Sequence, residues 1–227
     1  MVIHYHGTPI TPMTALYELA GRHFCVSFAR PEQIGRCHEI GQSIMIDNGA
    51  FSVWCREIQI DWVSYYEFTE RWLVFPTTWA VIPDVIDGSI EQQDELIAQW
   101  PYARKGAPVW HVNEPISRLM QLVEDWPKVC VGSGGQYAMV MSELWQCRMD
   151  QVFDEIVKVF RFLPWIHMLR GMACCGKRWP FASVGSTDLA RSHKRPQNTA
   201  IGMVTRWDAL QCPGIWRVQP KQLELLA

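Results

Sequence analysis

No Cys-x-x-Cys or Cys-x-Cys pair occurs in the chain, although it holds 8 cysteines. Structural zinc sites draw most of their ligands from such pairs, so no metal is expected. Cys25 and Cys130 fall inside apolar runs, and buried or free thiols are expected rather than disulfides. Long hydrophobic runs are also missing: none nears the roughly 20 residues that a membrane helix requires. The opening stretch, M-V-I-H-Y-H-G-T-P, has neither a basic n-region nor an apolar h-region. A soluble cytoplasmic protein with no membrane partner is the expectation. Low-complexity tracts and internal sequence repeats are absent too.

Charge of one sign is scarce overall, with a net −2, yet it is unevenly spread. Between 161 and 221 ten Lys and Arg face only Asp188 and Asp208, while residues 1–160 carry the acidic excess. A C-terminal third this basic suits either a phosphate-facing surface or a solvated face balanced by the rest. Hydrophobic residues make up 48% of 227, enough for one sizeable core. The chain is therefore expected to be a single domain over 1–227. Its basic C-terminal segment, 185–227, would pack on that domain or extend from it.

Short β-rich runs alternate with amphipathic ones. Ile3-His4-Tyr5, H-F-C-V-S-F (23–28), I-M-I (44–46), W-A-V-I-P (79–83), P-V-W-H-V (108–112), K-V-C-V-G (128–132), W-I-H-M-L (165–169) and F-A-S-V (181–184) read as strands. Helix signals follow most of them: Thr11 with Pro12, Asp61, and Ser89 with Gln92 as a capping box. The stretch 29–43 shows no clear helix. Eight strands in such alternation predict an α/β fold, a (β/α)8 TIM-type barrel, with a doubly wound sheet as the fallback.

In such a barrel chemistry sits at the carboxyl ends of the strands. The residues there are His6, Arg30, Asp47, Asp84, His111, the turn Gly132-Ser133-Gly134-Gly135, Arg170 and Asp188. Asp47 and Asp84 read either as turn caps or as carboxylates presented to a substrate. Asp188, in S-T-D-L-A-R, has the same two readings. His111 is either a buried, hydrogen-bonded histidine or a base-edge donor. The glycine turn offers backbone N–H donors, and Phe51 is placed to stack on a flat ligand. Carboxylates around a pocket with an aromatic wall suit chemistry at a glycosidic bond.

These pieces, in this order, resemble a known family. I-D-N-G-A-F resembles the strand end L-D-S-G-G-F/Y-Q of the tRNA-guanine transglycosylases. V-I-P-D-V-I-D-G, V-W-H-V, V-G-S-G-G and M-L-R-G with F-A-S-V-G-S-T-D-L-A-R fall where that family has its later motifs. The resemblance runs from Ile44 to Arg191 and implies a barrel that replaces guanine by a 7-deazaguanine such as preQ0. It implies Asp47 as acid/base or nucleophile, Asp84 as reader of the guanine edge, and His111 in place of the family glutamine. Gly132 to Gly135, with Phe51 and Arg170, would line the base. Asp188 is the acid nearest to where the family nucleophile falls. The family's zinc motif is absent, and the chain most resembles the short, zinc-less phage enzymes that modify DNA (the DpdA-type transglycosylases). That implies DNA and a free 7-deazaguanine as partners and no cofactor. It also implies Arg191, Lys194 and Arg195 as phosphate contacts and, for a phage protein, the host cytoplasm. Two other readings stay open: a barrel N-glycosidase or hydrolase acting on a nucleoside or nucleotide, and a non-catalytic base- or nucleic-acid-binding barrel.

Overall fold

The computed structural model describes residues 1–55 and 61–218; the end of the basic segment, 219–227, lies outside them. Over the described residues the fold is α/β, with nine parallel strands in a nearly closed barrel consistent with the TIM type. In chain order the strands are β1 (Ile3–Gly7), β2 (His23–Ser27), β3 (Ser43–Asp47), β4 (Thr78–Val81), β5 (Gly106–Ala107), β6 (Val109–His111), β7 (Val129–Gly132), β8 (Ile166–Met168) and β9 (Ser183–Ser186). In space they run β5-β4-β3-β2-β1-β9-β8-β7-β6. The two edge strands, β5 and β6, are separated in the chain only by Pro108. Gly106 and Ala107 pair with β4, and Val109 to His111 pair with β7. One extended run thus changes partner at a residue that has no N–H to offer a ladder, and chain continuity joins the two edges. Pro108 still accepts from Cys130 N at 2.8 Å. All eight β-rich runs of the sequence overlap strands; β5, the two residues ahead of the fifth run, is the strand that was not expected.

Successive side chains on a strand point to opposite faces, and here the two faces differ in kind. Tyr5, Met45, Trp79, Val81, Ala107, Val109 and Cys130 pack together inside the barrel. Phe24, Val26, Ile44, Ile46, Trp110, Val129, Val131, Met168 and Val184 face outward into the two larger clusters shared with the helices. The interior also holds the polar groups of Tyr5, Ser43, Trp79, His167 and Ser183, of whose side-chain atoms only His167 Nε2 has no partner among the described residues. The Tyr5 hydroxyl accepts from Trp79 Nε1 (2.9 Å) and Ser43 Oγ (3.0 Å), and His167 Nδ1 lies 2.9 Å from Ser183 Oγ. Burial pushes the His167 imidazole down to about 3, so it stays neutral.

Among the described residues the helices are α1 (Met13–Tyr17), α2 (Ile34–Ile40), α3 (Ala50–Trp54), α4 (Trp62–Leu73), α5 (Ile90–Ala98), α6 (Ile116–Asp125), α7 (Glu143–Val159), α8 (Asp188–Ser192) and α9 (Ala200–Asp208). Asp61 caps α4 through Val63 N and Ser64 N, and Ser89 with Gln92 forms the expected capping box on α5. Two expectations change. Thr11 does not cap α1, which begins after Pro12 without a side-chain cap. The stretch 29–43 does contain a helix, α2. Its entry residue, Gln33, spends its side chain on Ile10, accepting from Ile10 N (2.8 Å) and donating to Ile10 O (2.7 Å). Between β8 and β9 the described chain makes only the 3-10 turn Gly171–Cys174. No helix among the described residues is long and apolar enough to cross a membrane.

Candidate active site at the barrel mouth

Asp47 shares the inward face of β3 with Ser43 and Met45, so the alternation of that strand carries it to the mouth of the barrel. The register pairs it with Ser27 of β2. Asp47 Oδ1 accepts from Ser27 Oγ (3.1 Å) and from Gly49 N (2.8 Å). The Gly49 bond needs the left-handed backbone at Gly49 (φ 80°). Both bonds fall on Oδ1. Burial raises the Asp47 carboxyl above its ordinary value; the two hydrogen bonds oppose this and the charge of Asp84 adds to it.

Asn48, which reads in the sequence as a turn residue, links the two acids. It is buried, and its Nδ2 donates to Ile82 O (2.8 Å) and to Asp84 Oδ1 (2.7 Å). Its Oδ1 accepts from Ala50 N at 2.9 Å and so starts α3. Asp84 Oδ2 lies 3.3 Å from His111 Nε2, an ion-pair distance without hydrogen-bond alignment. Burial works against a charge on His111, but the carboxylates of Asp84, Glu114 and Asp87 outweigh it and raise its pKa above 6.5. Glu114 in turn accepts from His111 N (3.3 Å) and from Arg118 Nε (3.0 Å).

The far wall is built from the turn after β7 and the end of β8. Gly132 is registered against His111, and a Cβ there would lie 3.5 Å from His111 Nδ1 and 3.1 Å from Val109 Cγ1. Glycine therefore keeps room beside the imidazole. Ser133 is buried and accepts from Trp145 Nε1 (2.9 Å) on α7. Its carbonyl accepts from Arg170 Nη2, and the Arg170 guanidinium lies 4.8 Å above the centre of the Phe51 ring. Phe51 is 47% exposed and stacks on Trp54. Arg170 and Asp87 both hold left-handed backbone, a conformation costly for non-glycine residues and frequent where side chains are aimed at a ligand. Asp87 Oδ1 lies 4.0 Å from where a Cβ would stand on Gly134.

The mouth thus brings together Asp47, Phe51, Asp84, His111, Gly132, Ser133, Gly134 and Arg170, with Gly135 opening the next turn. Sequence reasoning missed Ser27, Asn48, Asp87 and Glu114. Only Asn48 left a signal, as the residue following an expected site acid. Asp188 is placed differently. It opens α8 and accepts from Ser192 Oγ (3.0 Å) and from Trp207 Nε1 (3.3 Å) on α9, in the helix layer. With Arg195, Asn198 and Arg206 it lines a cavity of about 360 Å³. Arg191, Lys194 and Arg195 are exposed on the same segment. His6 also points outward, its Nε2 2.9 Å from Asp208 Oδ1. Among the described residues no group of three or more His, Cys, Asp or Glu is arranged to hold a metal ion.

No family model, no characterised protein and no solved structure matches this chain.

Proposed function

We propose that the barrel mouth exchanges a guanine base in DNA for a free 7-deazaguanine such as preQ0, with carboxylate chemistry at the sugar C1′. The observation that carries this reading is the run Asp47–Asn48–Asp84–His111, which sets two carboxylates and an imidazole side by side beneath a glycine turn and beside an exposed aromatic ring.

Each member has a chemical role. A guanine edge carries adjacent N–H donors, and Asp84, held by Asn48, is the acceptor for them. The acceptor atoms of the base meet His111 and the N–H groups of Ser133 and Gly134. These donors stabilise the negative charge that develops on the base as its bond to C1′ breaks. Asp47 attacks C1′ through Oδ2, the C1′–N9 bond breaks, and the departing base takes up a proton. The incoming base then gives up its N9 proton and displaces Asp47, which restores the glycosidic bond. A desolvated carboxylate is a stronger nucleophile than a hydrated one, so burial of Asp47 serves the step. Phe51, stacked on Trp54 and covered by Arg170, is the ring on which an unstacked base rests.

With water as the acceptor, the same groups make an N-glycosidase acting on a nucleoside. The placement of Arg191, Lys194 and Arg195 beside the α8–α9 cavity, rather than among the mouth residues, favours that second reading. The deciding measurement is incorporation of labelled preQ0 into duplex DNA, with single-stranded DNA and tRNA in parallel and Asp47→Ala as control. Incorporation into DNA that the variant loses is the expected result. Incorporation into tRNA alone would overturn the substrate. Release of free base without incorporation would establish the hydrolase, and no chemistry with retained base affinity would leave a binding barrel.

A further inference from the structure

Two cysteines far apart in the chain, Cys175 and Cys212, meet on the outer side of β1, away from the mouth. Cys175 follows the turn after β8, and Cys212 follows α9. The chain is zipped beside them, with Gly176 N donating to Gln211 O at 3.2 Å and Val2 N donating to Gln211 Oε1 at 2.8 Å. The Gly176 to Gln211 backbone bond sets the two cysteines beside each other, and both side chains pack into the same apolar cluster. Cys175 is buried, and its Sγ lies 3.2 Å from His4 Nε2. His4 Nδ1 faces Asp208 Oδ1 at 3.6 Å, and Asp208 is also held by His6 and Arg22. Cys212 is the more accessible of the pair.

We propose that Cys175 and Cys212 are an oxidative modification site, forming a reversible disulfide when a hydroperoxide reaches Cys212. The Cys212 thiolate attacks the peroxide O–O bond; sulfur is oxidised by two electrons to a sulfenic acid, and the peroxide leaves as an alcohol or as water. Cys175 then attacks the sulfenic sulfur. Its thiol proton passes to His4 Nε2, where Asp208 offsets part of the burial that disfavours the cation, and the hydroxyl leaves as water on taking a proton. A dithiol reverses the bond by exchange.

Other features of the cluster suit this division of labour. The neighbouring Cys175 holds the Cys212 thiol below its ordinary value, which makes Cys212 the better first target, while Cys212 and burial push the Cys175 thiol up. Neighbouring Cys174 is buried and pushed up to about 12, so it stays a thiol. The new bond would staple the loop that contains β9, α8, α9 and the cavity beside Asp188, with no residue of the mouth taking part.

Hydrogen peroxide, followed by alkylation and peptide mass mapping of the native protein, tests the idea. The free-thiol titre is expected to fall by two from the starting 8 cysteines. A cross-linked pair of tryptic peptides, 171–177 with 207–217, should appear and vanish on reduction with dithiothreitol. Both Cys174 and Cys175 lie in the first peptide, so the assay is repeated on Cys174→Ser, where the cross-link should persist. Cys175→Ser should instead accumulate sulfenic acid at Cys212, trapped by dimedone. His4→Gln should slow disulfide formation severalfold while leaving the first oxidation unchanged. A cross-link that needs Cys174, or peroxide treatment that ends in sulfinic acid with no cross-link in the wild type, would overturn the proposal.

Discussion

Asp47 and Asp208 are the same residue type placed against opposite surroundings. At Asp47 burial dominates and raises the pKa. At Asp208 burial also opposes the charge, but His6, His4 and Arg22 together outweigh it and hold the carboxyl below 3.8. His111 lies between these cases: its imidazole is buried, yet three carboxylates keep it inclined to protonate. Because its folded pKa exceeds 6.5, the stabilisation it contributes is fully present below pH 6.5 and is lost as pH rises through the folded value. His111→Gln should therefore be less stable than wild type in mildly acidic buffer. The gap should close as pH rises through the folded value, read from urea midpoints across the range. A gap independent of pH would mean that the imidazole acts by packing alone. Asp47, Asp84 and His111 were legible in the sequence because each follows an apolar run. Asn48 was not, since Asn-Gly reads as an ordinary turn, and its bond to Asp84 depends on β3 and β4 lying side by side.

At the scale of elements, the strands were readable and the helices less so. Strand interiors alternate or run apolar over four or five residues, and eight such runs stood out. Helices α4 and α5 were announced by Asp61 and Ser89, whose caps are local. Helix α2 was hidden because its start is secured by a long-range partner: Gln33, buried, pairs both ways with the backbone of Ile10. Replacing Gln33 by Ala leaves a buried N–H and C=O unpaired, at a cost of about 1–3 kcal/mol. The expected reading is a lower urea midpoint with an unchanged m-value. An unaltered midpoint would show that water takes over both groups. Helix α9 was missed as well, although Thr199 caps it through Gly202 N, because Ile201, Gly202, Val204 and Thr205 have low helix propensity.

Over the whole molecule, α9 connects distant parts of the chain. Asp208 near its end meets β1 through His4 and His6 and meets the start of β2 through Arg22, so the last described helix holds the first strands. Its folded pKa is depressed, so this stabilisation is present above pH 3.8 and is lost as pH falls through the folded value. Asp208→Asn should reduce stability at neutral pH by on the order of 1–3 kcal/mol, because it uncharges the carboxylate to which His6 and Arg22 are hydrogen-bonded. Its acid-unfolding curve should merge with that of wild type at low pH. Persistent separation at low pH would assign the loss to packing.

What the sequence by itself determined is eight of the strands and their order, the starts of α4 and α5, and the mouth residues that end or follow a strand, since these follow from local periodicity and from capping over a few residues. Tertiary structure alone decided the rest. It bent one run at Pro108 so that the barrel edges meet, and it turned His6 outward. It also gave Asp188 to the helix layer, set Asn48 between two acids, and laid Cys175 against Cys212. Each of those outcomes depends on which side of a strand a residue falls and which strand lies next to it, and such neighbours are chosen by the packing of the whole chain.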